Sequence, residues 1–195
     1  MRNGKTGRSI INITFKPLAE SDFPLLLKWL ESPHVKQWWD QDISYDLKKV
    51  QEKFGAYVHE LEINYSATKH IYAYIVYYND IAIGYIQAYN VQEFFDEDPP
   101  ELVSASQNGL VMLKQVQGDS VLLKTAGVDL FIGELDYLHK GFGSLIIAAF
   151  LELLTQAGFG ACMVDPAPDN KAAVRAYEKA GFQKTGFLVS DKFCG

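Results

Sequence analysis

The chain has 195 residues, of which 48% are hydrophobic and 13% aromatic, which is enough for one globular domain with a complete core. Its formal net charge of −6 argues against a nucleic-acid-binding surface. The sequence has no run of about 18 apolar residues, so we expect no membrane-spanning helix. The first residues are basic but lack the long apolar segment of a signal peptide, which favours a cytoplasmic location.

The sequence also disfavours metal binding. The cysteines Cys162 and Cys194 are too few for a disulfide framework and form no CxxC pair for zinc. The histidines are scattered along the chain without the spacing of metal ligands, at His34, His59, His70 and His139. We therefore expect a single domain over residues 1–195 without a metal site.

The first half of the chain predicts a strand, two helices and a hairpin. Residues 10–16 alternate between apolar and polar, as a strand does. Helical spacing of apolar residues follows over about residues 19–32 and again over about 45–61, with a tryptophan-containing loop between them. Two β-rich runs within residues 70–91 flank the turn residues Asn79 and Asp80, which predicts a hairpin.

The second half begins with a long excursion at about residues 92–127. It starts with acidic residues and prolines and continues as an apolar patch of no firm period, with a short hairpin predicted around Gly118 and Asp119. Connections of this length in a compact domain are usually functional or mobile. Because of its length, we expect the excursion to reshape or cover a site.

Strands and helices then alternate to the end of the chain. We predict a buried strand over residues 128–132, a helix over 141–157, a strand near 161–168, a helix over 170–180 and a last strand. Together with the first half, this order predicts an α/β fold with one mixed sheet and helices on both of its faces.

The segment HKGFGS, residues 139–144, places Gly141 and Gly143 in the first turn of a predicted helix. Glycine costs a helix about 0.5–1 kcal/mol relative to alanine, so the pair indicates that something approaches the backbone closely. Free N–H groups and the helix dipole at such a turn bind phosphate, and Lys140 can add a cation. A glycine pair can equally serve tight helix packing, and the spacing leaves both interpretations open.

This turn and the later segment VDPAPDNKAAVRAYEKAGF, residues 164–182, together resemble the GNAT superfamily of N-acetyltransferases. In that family a turn of the form [Q/R]xxGx[G/A] binds the pyrophosphate of acetyl-coenzyme A (acetyl-CoA). Gly141 and Gly143 match this turn, whereas Leu138 stands where Gln or Arg is commonest. Asn170 and Tyr177 match the family's later pair, an asparagine followed seven residues on by a tyrosine.

The resemblance implies a single GNAT-type domain with a mixed, mostly antiparallel sheet and acetyl-CoA as co-substrate. The cofactor-binding residues that it implies are Phe131, His139, Lys140, Gly141, Phe142, Gly143, Ser144, Asn170 and Tyr177.

Four segments narrow the resemblance to the aminoglycoside 6′-N-acetyltransferase branch. They are LLLKWLESPHVKQWWDQD, AIGYIQAY, GVDLFIG and the segment at residues 164–182. The branch implies a cationic small-molecule acceptor held by aromatic residues and carboxylates. The predicted acceptor-binding residues are Trp38, Trp39, Gln87, Tyr89, Phe94, Phe95, Asp129 and Asp165. Two alternatives stay open: a siderophore-type acyltransferase acting on hydroxylysine, and a non-catalytic acetyl-CoA-binding module.

The chemistry points to particular residues among these. Acetyl transfer needs a neutral amine, a polarised thioester carbonyl and a proton for the leaving thiolate. Asp129 lies in a buried-type strand, where a carboxylate is costly unless it is used or paired, so we expect it to hold or deprotonate the amine. The family match implies Tyr177 as the general acid. Asp165 either binds an ammonium group or caps the turn that follows it.

The expected partner is a small-molecule amine, with neither nucleic acid nor membrane, and the chain is expected to be a monomer or a homodimer. Relatives normally add another strand after the segment GFLVS, residues 186–190, which would otherwise lie at an open sheet edge. An open edge invites strand exchange or dimerisation.

Overall fold

The computed structural model describes residues 12–58, 71–94, 102–103, 110–115 and 124–188. Its helices are α1 (Phe23–Leu30), α2 (Pro33–Lys36), α3 (Leu47–Phe54), α4 (Val91–Phe94), α5 (Phe142–Gln156) and α6 (Lys171–Lys179). Its strands are β1 (Ile13–Pro17), β2 (Ile71–Tyr78), β3 (Ile81–Asn90), β4 (Leu102–Val103), β5 (Leu110–Gln115), β6 (Thr125–Ile132), β7 (Ala161–Val164) and β8 (Gln183–Leu188). The hairpin predicted around Gly118 and Asp119 lies outside the described residues.

The described strands form one mixed, mostly antiparallel sheet in the order β1-β2-β3-β6-β7-β5-β8-β4. Among the described pairs, only β6 and β7 run parallel. The predicted β2–β3 hairpin is confirmed, and its turn residues Asn79 and Asp80 have φ values of 45° and 65°. Asparagine and aspartate tolerate this left-handed conformation better than most residues, which explains why the turn could be predicted.

Strand β5 is a difference from the sequence prediction, because the excursion contributes it to the interior of the sheet. It pairs antiparallel with β7 on one side and with β8 on the other. Strand β8 in turn has β4 on its far side. The expected open edge beside the last strand is therefore wrong, since two strands from the excursion flank β8. The first four residues of β5 are all apolar, so the segment has no alternating pattern to mark it as a strand.

Helices pack on both faces of the sheet, as the element order predicts. Side chains alternate along β2: Tyr74 and Val76 join the core beneath α5 and α6, whereas Ala73 and Ile75 join the core beneath α1 and α3. Trp29 of α1 is fully buried on that second side. Each such buried side chain stabilises the fold by about 1.5–3 kcal/mol relative to exposure.

The parallel pair β6–β7 opens after three residue pairs. Thr125, Ala126 and Gly127 lie opposite residues 161–163, and the pairing stops there. The rest of β6, residues 128–132, lines a cavity together with Asp165 and Pro166, which follow β7. The gap between two parallel strands therefore positions the candidate site. Among the described residues no helix is long and apolar enough to cross a lipid bilayer.

Candidate active site

A cavity of about 580 Å³ lies at the opening between β6 and β7. Its walls come from the second half of β6, the start of α5, one face of α6 and the tryptophan-bearing loop after α2. It thus brings together elements that are far apart in the sequence but that the motif analysis singled out independently.

The turn before α5 has the backbone that an anion site needs. His139 and Gly141 both have positive φ values, of 58° and 85°, and the helix begins at Phe142. The first-turn N–H groups of an α-helix have no partner within the helix, and the helix dipole adds about half a positive charge there. His139, Gly141, Phe142, Gly143 and Ser144 line the cavity, so this turn faces it.

The two glycines of the turn have different roles. A Cβ atom built on Gly141 would meet no described atom within 4 Å beyond its chain neighbours, so the space in front of it is open. A Cβ atom on Gly143 would lie 3.3 Å from the Cβ atom of Ala176 in α6. Gly141 therefore leaves the turn accessible, whereas Gly143 lets α5 and α6 approach. Both interpretations of the glycine pair apply, each to one residue.

The cations near the turn are not only those predicted. Lys140 is exposed and does not line the cavity. Arg175 and Lys179 of α6 do line it, one helical turn apart. The sequence contained the signal, since residues four apart on a helix share a face and the neighbouring Tyr177 was already placed at the site.

Asp129 is half-buried in β6 and belongs to a hydrogen-bonded chain. Its Oδ2 accepts a hydrogen bond of 2.8 Å from Nε2 of Gln87, the residue directly opposite on β3. Oε1 of Gln87 accepts a bond of 2.7 Å from the hydroxyl of Tyr85, which is fully buried. Burial raises the pKa of Asp129, and the bond from Gln87 opposes that rise.

Asp165 is the second carboxylate of the cavity wall. Burial raises its pKa to about 7, and the negative charge of Asp129 adds to that rise. A carboxyl group with this pKa exchanges protons near neutral pH, which is the range that a general base needs. Asp165 thus combines the geometry of a cavity residue with a proton affinity unusual for aspartate.

Tyr177 is buried in α6 and lines the same cavity, with its ring centroid 5.6 Å from that of Phe182. Its pKa lies well above the ordinary value, chiefly because of burial, and the charges of Asp129 and Asp165 add to the effect. The hydroxyl therefore stays protonated through the neutral range and is available as a proton donor. The predicted catalytic pair of Asp129 and Tyr177 does lie at one cavity.

Asn170 lies at the entrance to α6. Its Oδ1 accepts a hydrogen bond of 3.1 Å from the backbone N–H of Ala173, so it caps the helix, and it also lines the cavity. Phe131 lines the cavity as well and packs in the core beneath α1. These two predicted cofactor residues are therefore at the site and have structural contacts of their own.

The two tryptophans of the loop differ in exposure: Trp38 lies at the surface and Trp39 is packed. Trp38 is 41% exposed, while Trp39 packs its ring edge-on against Tyr85 and Phe131 at centroid distances of 6.0 Å and 5.1 Å. Both line the cavity. Nε1 of Trp39 is buried and has no hydrogen-bond partner among the described residues.

The other predicted acceptor residues differ in position. Gln87 reaches the site through Asp129, and the ring of Tyr89 lies across Gly127, where a Cβ atom would come within 2.3 Å of it. Neither lines the cavity wall. The side chain of Phe94 and all of Phe95 lie outside the described part of the chain.

Metal ligands do not assemble at this site. Within the described ranges, no group of three or more His, Cys, Asp or Glu side chains lies close enough to hold an ion. His34, one of the scattered histidines, has Nε2 within 3.1 Å of the carbonyl oxygen of Ile132, which anchors α2 to the end of β6.

Comparison with known proteins decides the family. The family model described as an acetyltransferase (GNAT) domain matches residues 19–189. The chain belongs to the GNAT acetyltransferase family. The aminoglycoside N(6′)-acetyltransferase type 1 of Klebsiella pneumoniae is 28% identical over 181 residues, which cover 92% of this chain and 78% of the relative.

Solved structures agree with this assignment of the GNAT domain. AAC(6′)-Ib in complex with ribostamycin and coenzyme A has a TM-score of 0.68 and 26% identity, covering 92% of this chain and 88% of its own. AAC(6′)-Ib in complex with coenzyme A and kanamycin has a TM-score of 0.66 at the same identity, covering 92% and 89%. The predicted family, its fold and the resemblance to aminoglycoside 6′-N-acetyltransferases are confirmed.

Within this GNAT domain, three polar residues near Asp129 escaped the sequence analysis. Tyr85 is the first, and it could have been suspected because it lies two residues from Gln87 on the same strand face. The others are Asp40 and Lys53, whose Nζ lies 2.8 Å and 3.0 Å from the two carboxylate oxygens of Asp40. Their pairing joins a loop to α3, and nothing local in the sequence indicates it.

Proposed function

We propose that the chain transfers an acetyl group from acetyl-CoA to an amine of a cationic small molecule of the aminoglycoside class. One observation carries this proposal: a single cavity is lined by an accessible helix N-terminus, two carboxylates and a protonated tyrosine hydroxyl. Those are the groups that a phosphate-bearing thioester and an ammonium-bearing acceptor each require.

The turn before α5 would hold the acetyl donor. Its first N–H groups and the positive end of the helix dipole attract the pyrophosphate, and the absence of a side chain on Gly141 leaves room for it. Arg175 and Lys179 bring cations to the same cavity. This region fits the acetyl donor better than the acceptor, because its positive groups attract the negative phosphates of the donor and repel an ammonium-bearing acceptor.

The carboxylates would hold the acceptor and take its proton. An aminoglycoside amine arrives mostly as an ammonium group, which a carboxylate attracts and must deprotonate before the nitrogen can attack. Asp165, with its pKa raised to about 7, and the half-buried Asp129 are the proton acceptors of the cavity wall. The N–C bond forms as the C–S bond breaks, and the amine proton passes to one of these carboxylates.

Tyr177 would supply the proton that the leaving thiolate needs. The hydroxyl is protonated at neutral pH and lines the cavity, so it can donate its proton to the developing thiolate. Tyr177 then recovers a proton from solvent or from the carboxylate that received the amine proton, which balances the reaction.

The acceptor class is supported by the relatives and by the site. Structures of AAC(6′)-Ib hold ribostamycin or kanamycin beside coenzyme A. In this chain, Trp38 presents an exposed aromatic ring at the cavity, and Trp39 also lines it. The alternatives, hydroxylysine acylation and binding without turnover, have no comparable support from a described contact.

An acceptor panel tests the proposal directly. Thiol release from acetyl-CoA is measured with kanamycin, ribostamycin, spermine and hydroxylysine, and acetyl-CoA binding is measured separately by calorimetry. We expect release with the aminoglycosides above the other amines. Release with hydroxylysine alone would favour the siderophore-type alternative, and binding without release would favour the non-catalytic module.

The assembly and location of the protein remain predictions. The described sheet has no open edge beside β8 but ends at β1 and β4, so we propose a monomer or a homodimer, which light scattering on the purified chain would distinguish. A cytoplasmic location is still the expectation from the sequence.

A further inference from the structure

Tyr85, Gln87 and Asp129 are joined by two consecutive hydrogen bonds inside the molecule. Tyr85 is fully buried, and its ring stacks on Phe131 with centroids 5.4 Å apart and planes 25° apart. It also packs edge-on against Phe54 at 5.6 Å. The hydroxyl is therefore held in place by its own ring, independently of the bond that it makes to Gln87.

The Gln87 amide lies between Tyr85 and Asp129, with its oxygen toward the tyrosine hydroxyl and its nitrogen toward the carboxylate. Among the described residues, Oε1 of Gln87 is the hydrogen-bond partner of the Tyr85 hydroxyl, at 2.7 Å. Because the hydroxyl donates to Oε1, the NH₂ group of the same amide must point the other way, toward Oδ2 of Asp129 at 2.8 Å. An amide NH₂ can only donate, so in this orientation it favours an ionised carboxylate over a protonated one.

We propose that Tyr85 is a positioning residue: its hydroxyl fixes the Gln87 amide so that the NH₂ group faces Asp129 and keeps that carboxylate ionised. This inference rests on the proposed function, in which Asp129 meets the acceptor as a carboxylate. Without the hydroxyl, the amide is free to rotate and to accept a hydrogen bond from protonated Asp129. Tyr85 thus works against the wrong protonation state of Asp129 without touching either substrate.

Charged groups on other elements act on Asp129 as well. Lys53 of α3 lowers the pKa of Asp129, and Asp40 of the preceding loop raises it. These two form an ion pair in which Asp40 is only 8% exposed, so their effects largely oppose each other. Asp165 is the remaining carboxylate that interacts with Asp129, and its own pKa is raised in return.

The other titratable groups that face Asp129 stay neutral. Burial raises the pKa values of Tyr57, Tyr89 and Tyr177, which lie after α3, on β3 and on α6. Burial likewise raises the pKa of the Cys162 thiol in β7. These four groups therefore keep their charge near neutral pH, whereas Asp165, with a pKa of about 7, is a neighbour of Asp129 whose charge changes in that range.

The decisive measurement is the titration of Asp129 itself, followed by NMR of ¹³C-carboxyl-labelled aspartate and assigned with Asp129→Asn. We expect Tyr85→Phe to move this titration to higher pH, since Phe keeps the ring stacking and removes only the hydroxyl. Gln87→Leu should move it in the same direction. In the double variant, adding Tyr85→Phe to Gln87→Leu should produce no further shift, because Tyr85 acts only through the amide.

A matched control separates this effect from general loss of stability. Tyr74→Phe removes the hydroxyl of another buried strand tyrosine on the opposite face of the sheet and should leave the Asp129 titration unchanged. An unshifted titration in Tyr85→Phe would overturn the inference. Equal shifts in the wild-type and Gln87→Leu backgrounds would overturn it too, because Tyr85 would then act by a route other than Gln87.

The pH dependence of kcat/KM gives a second readout when an acceptor is turned over. We expect Tyr85→Phe to lower kcat/KM about tenfold at the acid end of the profile and to approach wild type as pH rises. The acceptor amine ionises identically with both proteins, so a difference belongs to the enzyme. If no amine is turned over, the proposed function fails while the NMR titration still decides the role of Tyr85.

Discussion

Tyr177 shows how one buried hydroxyl can connect packing to chemistry. It belongs to the core beneath α5 and α6 and at the same time lines the cavity. Its ring contact with Phe182 orients the side chain, and burial beside two carboxylates raises the pKa of its hydroxyl. To test the hydroxyl separately from the packing, a substitution must remove the hydroxyl and keep the ring.

We predict that Tyr177→Phe lowers kcat by about 10²–10⁴-fold, the range typical for loss of a general acid. The Kd for acetyl-CoA should stay close to that of the wild type, because the ring and its contacts remain. Steady-state kinetics and calorimetry measure the two quantities. A variant that keeps its turnover would show that solvent protonates the thiolate and that Tyr177 is a packing residue.

Asp165 provides a prediction about stability and pH. Its pKa is about 7 in the folded protein against 3.8 for an ordinary aspartate, so the folded state binds the proton more tightly than the unfolded state. Its contribution to stability is therefore fully present below about pH 4 and is lost as pH rises through about 7. As pH rises between these limits, we expect the Tm of Asp165→Asn to increase relative to the Tm of the wild type.

Calorimetric Tm values at matched pH for the wild type and Asp165→Asn test this expectation. Glu52→Gln, at an exposed position on α3, serves as the control for removing a carboxylate without burial. A constant Tm difference between the wild type and Asp165→Asn across the whole pH range would contradict the raised pKa.

At the scale of elements, the two glycines of the turn before α5 can be tested separately, because Gly141 faces open space and Gly143 packs against α6. Gly141→Val should abolish acetyl-CoA binding and leave the protein folded, because the added side chain enters open space and the φ of 85° costs about 1–2 kcal/mol. Gly143→Val should also lower the Tm, because its Cβ atom must displace Ala176. Calorimetric titration with acetyl-CoA and thermal melts distinguish the two. Undiminished affinity in a folded Gly141→Val protein would refute the anion-binding role of the turn.

The elements that could be predicted are those with local causes. The β2–β3 hairpin follows from the turn preference of Asn79 and Asp80, and α6 follows from its Asn170 cap and helical spacing. Strand β5 could not be predicted, because its partners β7 and β8 lie far along the chain. Tyr85 could have been suspected from its place two residues before Gln87, but the hydrogen bond from Gln87 to Asp129 could not, because Asp129 lies on another strand.

For the whole molecule, β5 means that the excursion is part of the sheet and not merely a cover over the site. Met112 of this strand is fully buried in the main core. We predict that Met112→Ala lowers the free energy of unfolding by about 2–5 kcal/mol, as truncation of a buried side chain does. Leu47→Ala, at a position 52% exposed, should change it by less than about 0.5 kcal/mol.

Urea denaturation of the two variants measures both free energies. Similar small losses at both positions would mean that β5 does not belong to the cooperative fold. If the excursion were expendable, deleting it would leave the protein folded. If β5 is a structural strand, the deletion should disrupt the sheet beyond β7.

The insertion of β5 between β7 and β8 has a consequence for the order in which the chain is made. During translation β5 leaves the ribosome before either of its neighbours has been synthesised. Until they arrive, the nascent chain carries an unpaired apolar strand that can join another chain as readily as its own. Slow elongation between β5 and β8 would lengthen that exposure, so the yield of native enzyme should depend on the speed of synthesis as well as on the stability of the finished fold.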